Sequence, residues 1–236
     1  MRAVIVAGGR GTRLLPYTTV LPKPLMPVGD MPILELLIRR LEASGVRRIT
    51  VAVGHLAPLF CAYFGDGAAW GVDLDYSLET EPLGTAGPLG LVRGLDDTFL
   101  VLNGDLLTDL DFDRMIGEHR RAGVIATVGS CDRETRIDFG VIEVRDDLVT
   151  SYTEKPTFHF TVSMGVYVFE PSVLDLVTVG ARQDLPDLIT GLLSAKRRVA
   201  IYRHVGYWLD IGRPDDYQRA QENYEQIKAT LLPPRR

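Results

Sequence analysis

Short, unbroken apolar runs alternate with stretches of helical spacing through the first half of the chain. The first run, Ala3-Val4-Ile5-Val6-Ala7, stops at Gly8-Gly9 and predicts a buried parallel strand. A long Gly- and Pro-rich loop follows, from Gly8 to Pro32. Ile33, Leu34, Leu37, Ile38 and Leu41 then recur at helical spacing, and Gly45 marks the stop. The same reading predicts a strand at Ile49–Val53, a helix at Leu56–Phe64 and a strand at Val72–Leu78. Beyond these it predicts a helix at Thr85–Gly94, a strand at Phe99–Leu102 and a helix at Phe112–Ala122. Such alternation implies an α/β fold, a mostly parallel sheet with helices on both faces.

After Gly123 the pattern changes. Val124–Gly129, Gly140–Val144, Val149–Thr153 and Val162–Phe169 read as closely spaced strands, so this half is expected to be mixed or antiparallel. Helices are predicted at Ser172–Val177 and Leu185–Ala195, a strand at Val199–Arg203, and a last amphipathic helix from Pro214 to Ala229. We read one domain over residues 1–230, made of halves 1–123 and 124–230, with a frayed tail at 231–236.

Composition narrows the class. Hydrophobic residues make up 46% of the 236 positions and charged residues 24%, as in ordinary globular chains. The net charge of −5 argues against a nucleic-acid partner, which needs a basic surface. No apolar run is long enough for a membrane span, and the N-terminus lacks a signal-peptide pattern. Cys61 and Cys131 are the only cysteines and form no CxxC pair. A cytoplasmic protein is therefore expected. The four histidines, His55, His119, His159 and His204, have no metal-ligand spacing.

The loop after the first strand reads Gly8-Gly9-Arg10-Gly11-Thr12-Arg13. Glycines there let backbone N–H groups approach a phosphate. The spacing is neither the dinucleotide fingerprint nor a Walker loop. Charge supports a phosphate reading: residues 1–30 carry Arg2, Arg10, Arg13 and Lys23 against Asp30 alone. Further on, Leu21-Pro22-Lys23-Pro24 sets a lysine between two prolines, which push it toward an extended, stiff presentation. Asp105 follows the strand Phe99–Leu102, at the carboxyl end where open α/β sheets bind ligands. From position alone it is either a metal carboxylate or a turn-forming Asp.

Gly8–Leu34, GGRGTRLLPYTTVLPKPLMPVGDMPIL, resembles the signature of the sugar-phosphate nucleotidyltransferases, the NDP-sugar pyrophosphorylases. The likeness runs from Ala3 to about Tyr217. Its closest pattern is that of the mannose- or heptose-1-phosphate guanylyltransferases, through PLGTAGPL and TEKPTFHFTVSMGVYVFEPSVLD. The resemblance implies a Rossmann-like, GT-A-type fold, with residues 1–123 binding nucleotide and 124–230 binding sugar phosphate. It implies an enzyme that joins a nucleoside triphosphate, GTP foremost with UTP and dTTP behind, to a sugar 1-phosphate and releases pyrophosphate.

Arg13 and Lys23 would act on the phosphates. Ala7, Gly8, Gly9, Gly11, Thr12, Glu79, Gly84 and Thr85 would hold the nucleotide. Gly140, Glu154, Lys155 and Ser163 would hold the sugar phosphate, Ser163 standing where many relatives carry Asn. Asp105 and Asp210 would hold Mg2+, the latter within Trp208-Leu209-Asp210-Ile211-Gly212. An Asp among Trp, Leu and Ile is expected to be partly buried and to need a partner or a cation. No hexapeptide repeat follows, so the β-helix extension of some relatives is expected to be absent. A second copy of the chain stays open as a partner. Two other readings compete: a silent subunit that senses nucleotide sugars, and a glycosyltransferase of related fold. The first would have lost Arg13, Lys23 or a metal Asp. The second would carry a DxD motif where Asn103-Gly104-Asp105 stands.

Overall fold

The computed structural model of the chain describes residues 1–232. Seven strands form its central sheet: β1 (Arg2–Val6), β4 (Arg48–Val53), β5 (Asp73–Leu78), β6 (Phe99–Asn103), β8 (Ala126–Arg136), β11 (Thr157–Phe169) and β12 (Val199–Arg203). Their order is β12-β8-β11-β6-β1-β4-β5. Only β11 runs against its neighbours β6 and β8, and every other pairing is parallel. Successive strands go outward from β1 to β4 and β5, then cross back to β6 on the other side. The switch point of the sheet therefore lies between β1 and β6.

Alternating side chains of the sheet face two cores. Ala3, Ile5, Ile49 and Val51 pack with α1 (Ile33–Ala43), α2 (Ala57–Phe64) and α3 (Phe112–Ala122), through residues such as Leu34, Leu37, Phe60 and Met115. Val4, Ala52, Val101 and Phe169 pack with Leu185, Leu188 and Leu192 of α4 (Leu185–Ser194). A third cluster lies off the sheet. Leu14, Met26, Val28, Leu36, Leu107, Leu209, Ile211 and Tyr224 join the Gly- and Pro-rich loop, the outer face of α1 and the last helix α5 (Pro214–Leu231). This small core seats the loop that carries Arg13 and Lys23.

The predicted strands and helices of the first half are present, with one exception. Thr85–Gly94 is not an α-helix but holds only a 3-10 turn, Gly87–Leu91. Gly87, Pro88 and Gly90 oppose helix, and the segment lies against Val177–Gln183: a Cβ at Gly87 would stand 2.5 Å from the Ala181 carbonyl oxygen. Ser172–Val177 is likewise a 3-10 turn, Pro171–Leu176. The long loop contains 3-10 turns and a minimal hairpin, β2 (Pro27–Val28) with β3 (Met31–Pro32). Lys23 is not extended: it opens a 3-10 turn, Lys23–Leu25, closed by Leu25 N–H donating to Pro22 at 2.8 Å.

Sequence reading also missed the ribbon of β7 (Leu106–Thr108) and β13 (Trp208–Asp210), and the reach of β8 and β11. The outer halves of those two strands, Cys131–Arg136 against Thr157–Val162, leave the core as an arm. The hairpin of β9 (Val141–Arg145) and β10 (Leu148–Thr153) tips it. With both faces in solvent, the arm has no apolar alternation to betray it. In the supposed tail, Leu231 ends α5 and is buried, while residues 233–236 lie outside the described residues. Among the described residues no helix is long and apolar enough to cross a membrane.

Candidate active site

A cavity of about 600 Å³ opens at the switch point, between the residues that follow β1 and those that follow β6. Backbone forms its floor. Ala7 N–H donates to Ala52 at 2.8 Å and Gly104 N–H to Val6 at 2.9 Å, which fixes both strand exits. Gly11 turns the loop at φ +61°, and a Cβ there would meet Thr18 Cγ2 at 2.9 Å. The Thr18 hydroxyl closes the same turn by donating to the Gly11 carbonyl at 2.8 Å. Every residue that the sequence assigned to catalysis, nucleotide or metal lines this cavity, Arg13, Lys23, Asp105 and Asp210 among them.

Lys23 is buried, and its ammonium is ion-paired to Asp105 Oδ2. Asp210 Oδ1 lies 3.9 Å from the same nitrogen. The two carboxylates are brought together by the β7–β13 ribbon, in which Asp210 is paired with Leu106, the residue after Asp105. Ile211 N–H donates to the Asp105 carbonyl at 3.1 Å and locks the register. Burial pushes the Asp210 carboxyl above its ordinary range, and the Asp105 charge pushes it further, against the pull of Lys23 and Arg13. Asp105 Oδ1 is buried without a partner. Two hard oxygen ligands, one of them orphaned, suit a divalent cation completed by phosphate oxygens and water. Among the described residues no larger cluster of His, Cys, Asp or Glu could hold a metal.

Glu79 follows β5. Its Oε2 accepts the Leu83 N–H at 3.0 Å, while Oε1 is buried in the cavity wall without a partner. Burial raises its carboxyl above the ordinary value, and the Leu83 bond only partly offsets this. Gly8 has no side chain because Glu79 occupies the space: a Cβ would stand 2.3 Å from Oε1. Thr85 is held by Asp184, whose Oδ1 accepts its N–H at 3.1 Å. Arg182, in the turn before α4, also lines the cavity. No motif surrounds it, so the sequence offered no signal for it.

A second cavity of about 390 Å³ adjoins the first and is lined by Ser163, Trp208 and Tyr167. The Ser163 and Tyr167 hydroxyls bond each other at 3.1 Å, and the Trp208 indole N–H donates to Met164 at 3.0 Å. Arg133 of the arm stacks on the Trp208 ring, 4.7 Å from its centroid. Ser163 is thus the one predicted sugar-phosphate residue in this hollow. Gly140, Glu154 and Lys155 line neither cavity. They gather at the base of the β9–β10 hairpin, where Tyr152 donates to Glu154 at 3.0 Å and Lys155 stands 3.9 Å from Glu154.

The architecture defines a doubly wound α/β protein with cations, carboxylates and a glycine loop gathered at its switch point. A model of the nucleotidyl transferase family matches residues 2–227, and the chain belongs to that family. Its relatives include a UTP–glucose-1-phosphate uridylyltransferase of Synechocystis, 35% identical over 99% of this chain and 66% of that protein. Another is the mannose-1-phosphate guanylyltransferase of Mycobacterium tuberculosis, 34% identical over 92% of this chain and 62% of that protein. The chain therefore spans less than two thirds of the length of these relatives. Among solved structures, a putative glucose-1-phosphate thymidylyltransferase from Bacillus anthracis superposes with a TM-score of 0.76 at 25% identity, covering 94% of both chains. HddC from Yersinia pseudotuberculosis, solved with GMP-PN, shares the fold at a TM-score of 0.72 and 24% identity, over 94% of this chain and 99% of that one.

Proposed function

We propose that this chain is a sugar-1-phosphate nucleotidyltransferase that takes GTP and a mannose- or heptose-type sugar 1-phosphate and uses Mg2+. The observation that carries the reading is the pair of adjoining cavities that share Asp210, whose carboxylate stands 3.9 Å from the Lys23 ammonium that pairs with Asp105: one hollow is floored by the glycine loop, the other lies over Trp208. A phosphate oxygen of the sugar 1-phosphate attacks the α-phosphorus of the triphosphate. The new P–O bond forms as the α–β bridge breaks, and its electron pair leaves with pyrophosphate. The nucleophile is already an anion, so no general base is required. The barrier lies in aligning anions that repel one another, and cations and positioning lower it.

Lys23 would bridge the incoming phosphate and the α-phosphate, and Arg13 would stabilise the leaving pyrophosphate. Asp105 and Asp210 would hold Mg2+, which supplies charge neutralisation to the phosphate oxygens. The cavity's own charges support this need: Arg13, Lys23 and Arg182 are matched by Glu79, Asp105 and Asp210, leaving no excess for a triphosphate. Glu79 supports GTP. A carboxylate accepts the adjacent N–H donors of a guanine edge and faces carbonyl oxygens on uracil or thymine. Uridylyl or thymidylyl transfer is the second reading, the former favoured by the identity to the Synechocystis relative and the latter by the likeness to the Bacillus anthracis structure.

The test is pyrophosphate release with Mg2+, crossing GTP, UTP, dTTP, CTP and ATP with mannose-, heptose- and glucose-1-phosphate. Release that requires GTP with mannose- or heptose-1-phosphate is expected. Silence from every pair, in protein shown to bind a nucleotide sugar, would leave a sensing subunit as the reading.

A further inference from the structure

A third cavity, of about 560 Å³, lies away from the first two, at the β5 edge of the sheet. Its floor is sheet: Thr50 of β4 and Asp75 of β5 stand opposite each other in register, and Ser77 is two residues further along β5. The facing wall is the turn at residues 91–94, where Gly94 reverses the chain at φ +73°. Arg2 closes the hollow between floor and wall. Its Nη1 donates to the Arg93 carbonyl at 2.6 Å and stands 3.7 Å from Asp75 Oδ2. Thr50 is buried, and its hydroxyl oxygen has no partner among the described residues.

Charge gives this hollow its chemistry. Arg2 and Arg93 line it against Asp75 alone, in a chain of net charge −5, whereas the first cavity matches each cation with a carboxylate. The Arg2 side chain is only 21% exposed and is tethered by its bond to residue 93, so its guanidinium is presented without further ordering. A tethered guanidinium with a second cation and hydroxyl groups around it is a donor set for an oxyanion. The hollow also holds both ends of a loop. β5 ends at Leu78 on one side, the chain then passes Glu79, Gly84 and Thr85 of the first cavity, and it returns as Leu91 on the other side.

We propose that this hollow is a regulatory site for a small oxyanion, a phosphate or a phosphate ester, bound by Arg2. Arg93 adds attraction from the turn, and the Ser77 hydroxyl supplies a donor from the floor. Asp75 competes for Arg2, so occupancy needs the anion at about millimolar concentration. An anion held there ties the turn at 91–94 to β5 and so fixes both ends of the loop that carries Glu79 and Thr85. A loop already ordered costs a triphosphate less to bind, so oxyanion and triphosphate favour each other. That coupling rests on the nucleotidyltransferase reading, whereas oxyanion binding does not.

The experiment is hydrogen exchange, read by mass spectrometry on the whole chain, titrated with inorganic phosphate or with glycerol 3-phosphate at an ionic strength held constant with chloride. Exchange should slow in peptides covering residues 73–94, and the lower midpoint of the two tells free phosphate from an ester. Arg2→Gln should raise the midpoint about tenfold by removing a charge-assisted bond, and Asp75→Asn should lower it about threefold by removing a repelling charge. No slowing at 73–94 with either ligand would overturn the proposal. So would slowing confined to residues 8–13 and 103–105, which puts the anion in the first cavity. Where R2Q does not fold, D75N decides alone, and a midpoint that does not fall is fatal. For the coupling, KM for the productive triphosphate is measured with and without phosphate. Phosphate should lower it about fivefold more in wild type than in R2Q, and equal changes would remove the regulatory role. Absence of release from every substrate pair is a different failure, because it removes the nucleotidyltransferase reading and leaves the exchange result standing.

Discussion

At the scale of single residues, Glu79 carries two separable consequences. Its Oε2 accepts the Leu83 N–H and its Oε1 is buried in the cavity wall without a partner, so under the proposed function it would read the base as an acceptor. Glu79→Gln keeps the shape but adds a donor, which complements the O4 carbonyl of uracil or thymine. The ratio of kcat/KM for GTP over UTP should fall about 10- to 100-fold in this variant, and an unchanged ratio would remove Glu79 as the base reader. The second consequence concerns stability. Burial raises the Glu79 carboxyl, so in acid the folded protein holds a proton that the unfolded chain has released. Stability from this group is present below the ordinary carboxyl range and is lost as pH rises through the raised value. Thermal melts across about pH 4 to 8 should show a shallower decline for E79Q than for wild type. A parallel decline would place the slope elsewhere.

At the scale of elements, the third core decides whether the loop that carries Arg13 and Lys23 has a seat. The β2–β3 turn touches α5 through Gly29, whose N–H donates to Gln221 at 3.0 Å, and through Asp30, which accepts the Tyr224 hydroxyl at 2.6 Å. Gly29 sits at φ +61°, and a Cβ there would stand 1.9 Å from the Tyr224 ring. Gly29→Ala combines left-handed strain with a clash against a buried aromatic. It should cost about 2–4 kcal/mol in denaturant unfolding. A loss near zero would mean that α5 can shift freely against the turn.

At the scale of the whole molecule, the sheet gathers Arg13, Lys23, Asp105 and Asp210 in one place, while the arm carries Gly140, Glu154 and Lys155 outside both cavities. Arg136 and Thr157 lie directly opposite each other where the arm ends. Ile137–Pro156 can therefore be replaced by an Asn-Gly turn without disturbing the sheet. The shortened protein should bind GTP within about threefold of wild type yet lose more than about 100-fold in turnover, if Glu154 and Lys155 act on the sugar phosphate. Turnover that survives the replacement would remove both residues from that role.

Local pattern was enough for β1, β4, β6, α1, α3 and α5, because each writes its own period of burial into consecutive residues. The glycine loop and Lys23 were legible because they stand in one continuous motif, Gly8–Leu34, whereas Asp105 showed only as the carboxylate that follows the strand Phe99–Leu102. Thr85–Gly94 misled because its apolar spacing is helical while its glycines fit against Val177–Gln183, a contact invisible in the segment itself. The three-residue strands β7 and β13 exist only through each other, about a hundred positions apart. No local signal encodes such a pairing, and with it went the reason why Asp105 meets Asp210. Arg182 and Asn103 belong to the same class. Their types were plain in the sequence, but only the folded chain, by bringing distant turns to one switch point, decided that one lines the cavity of the glycine loop and the other lines both that cavity and its neighbour.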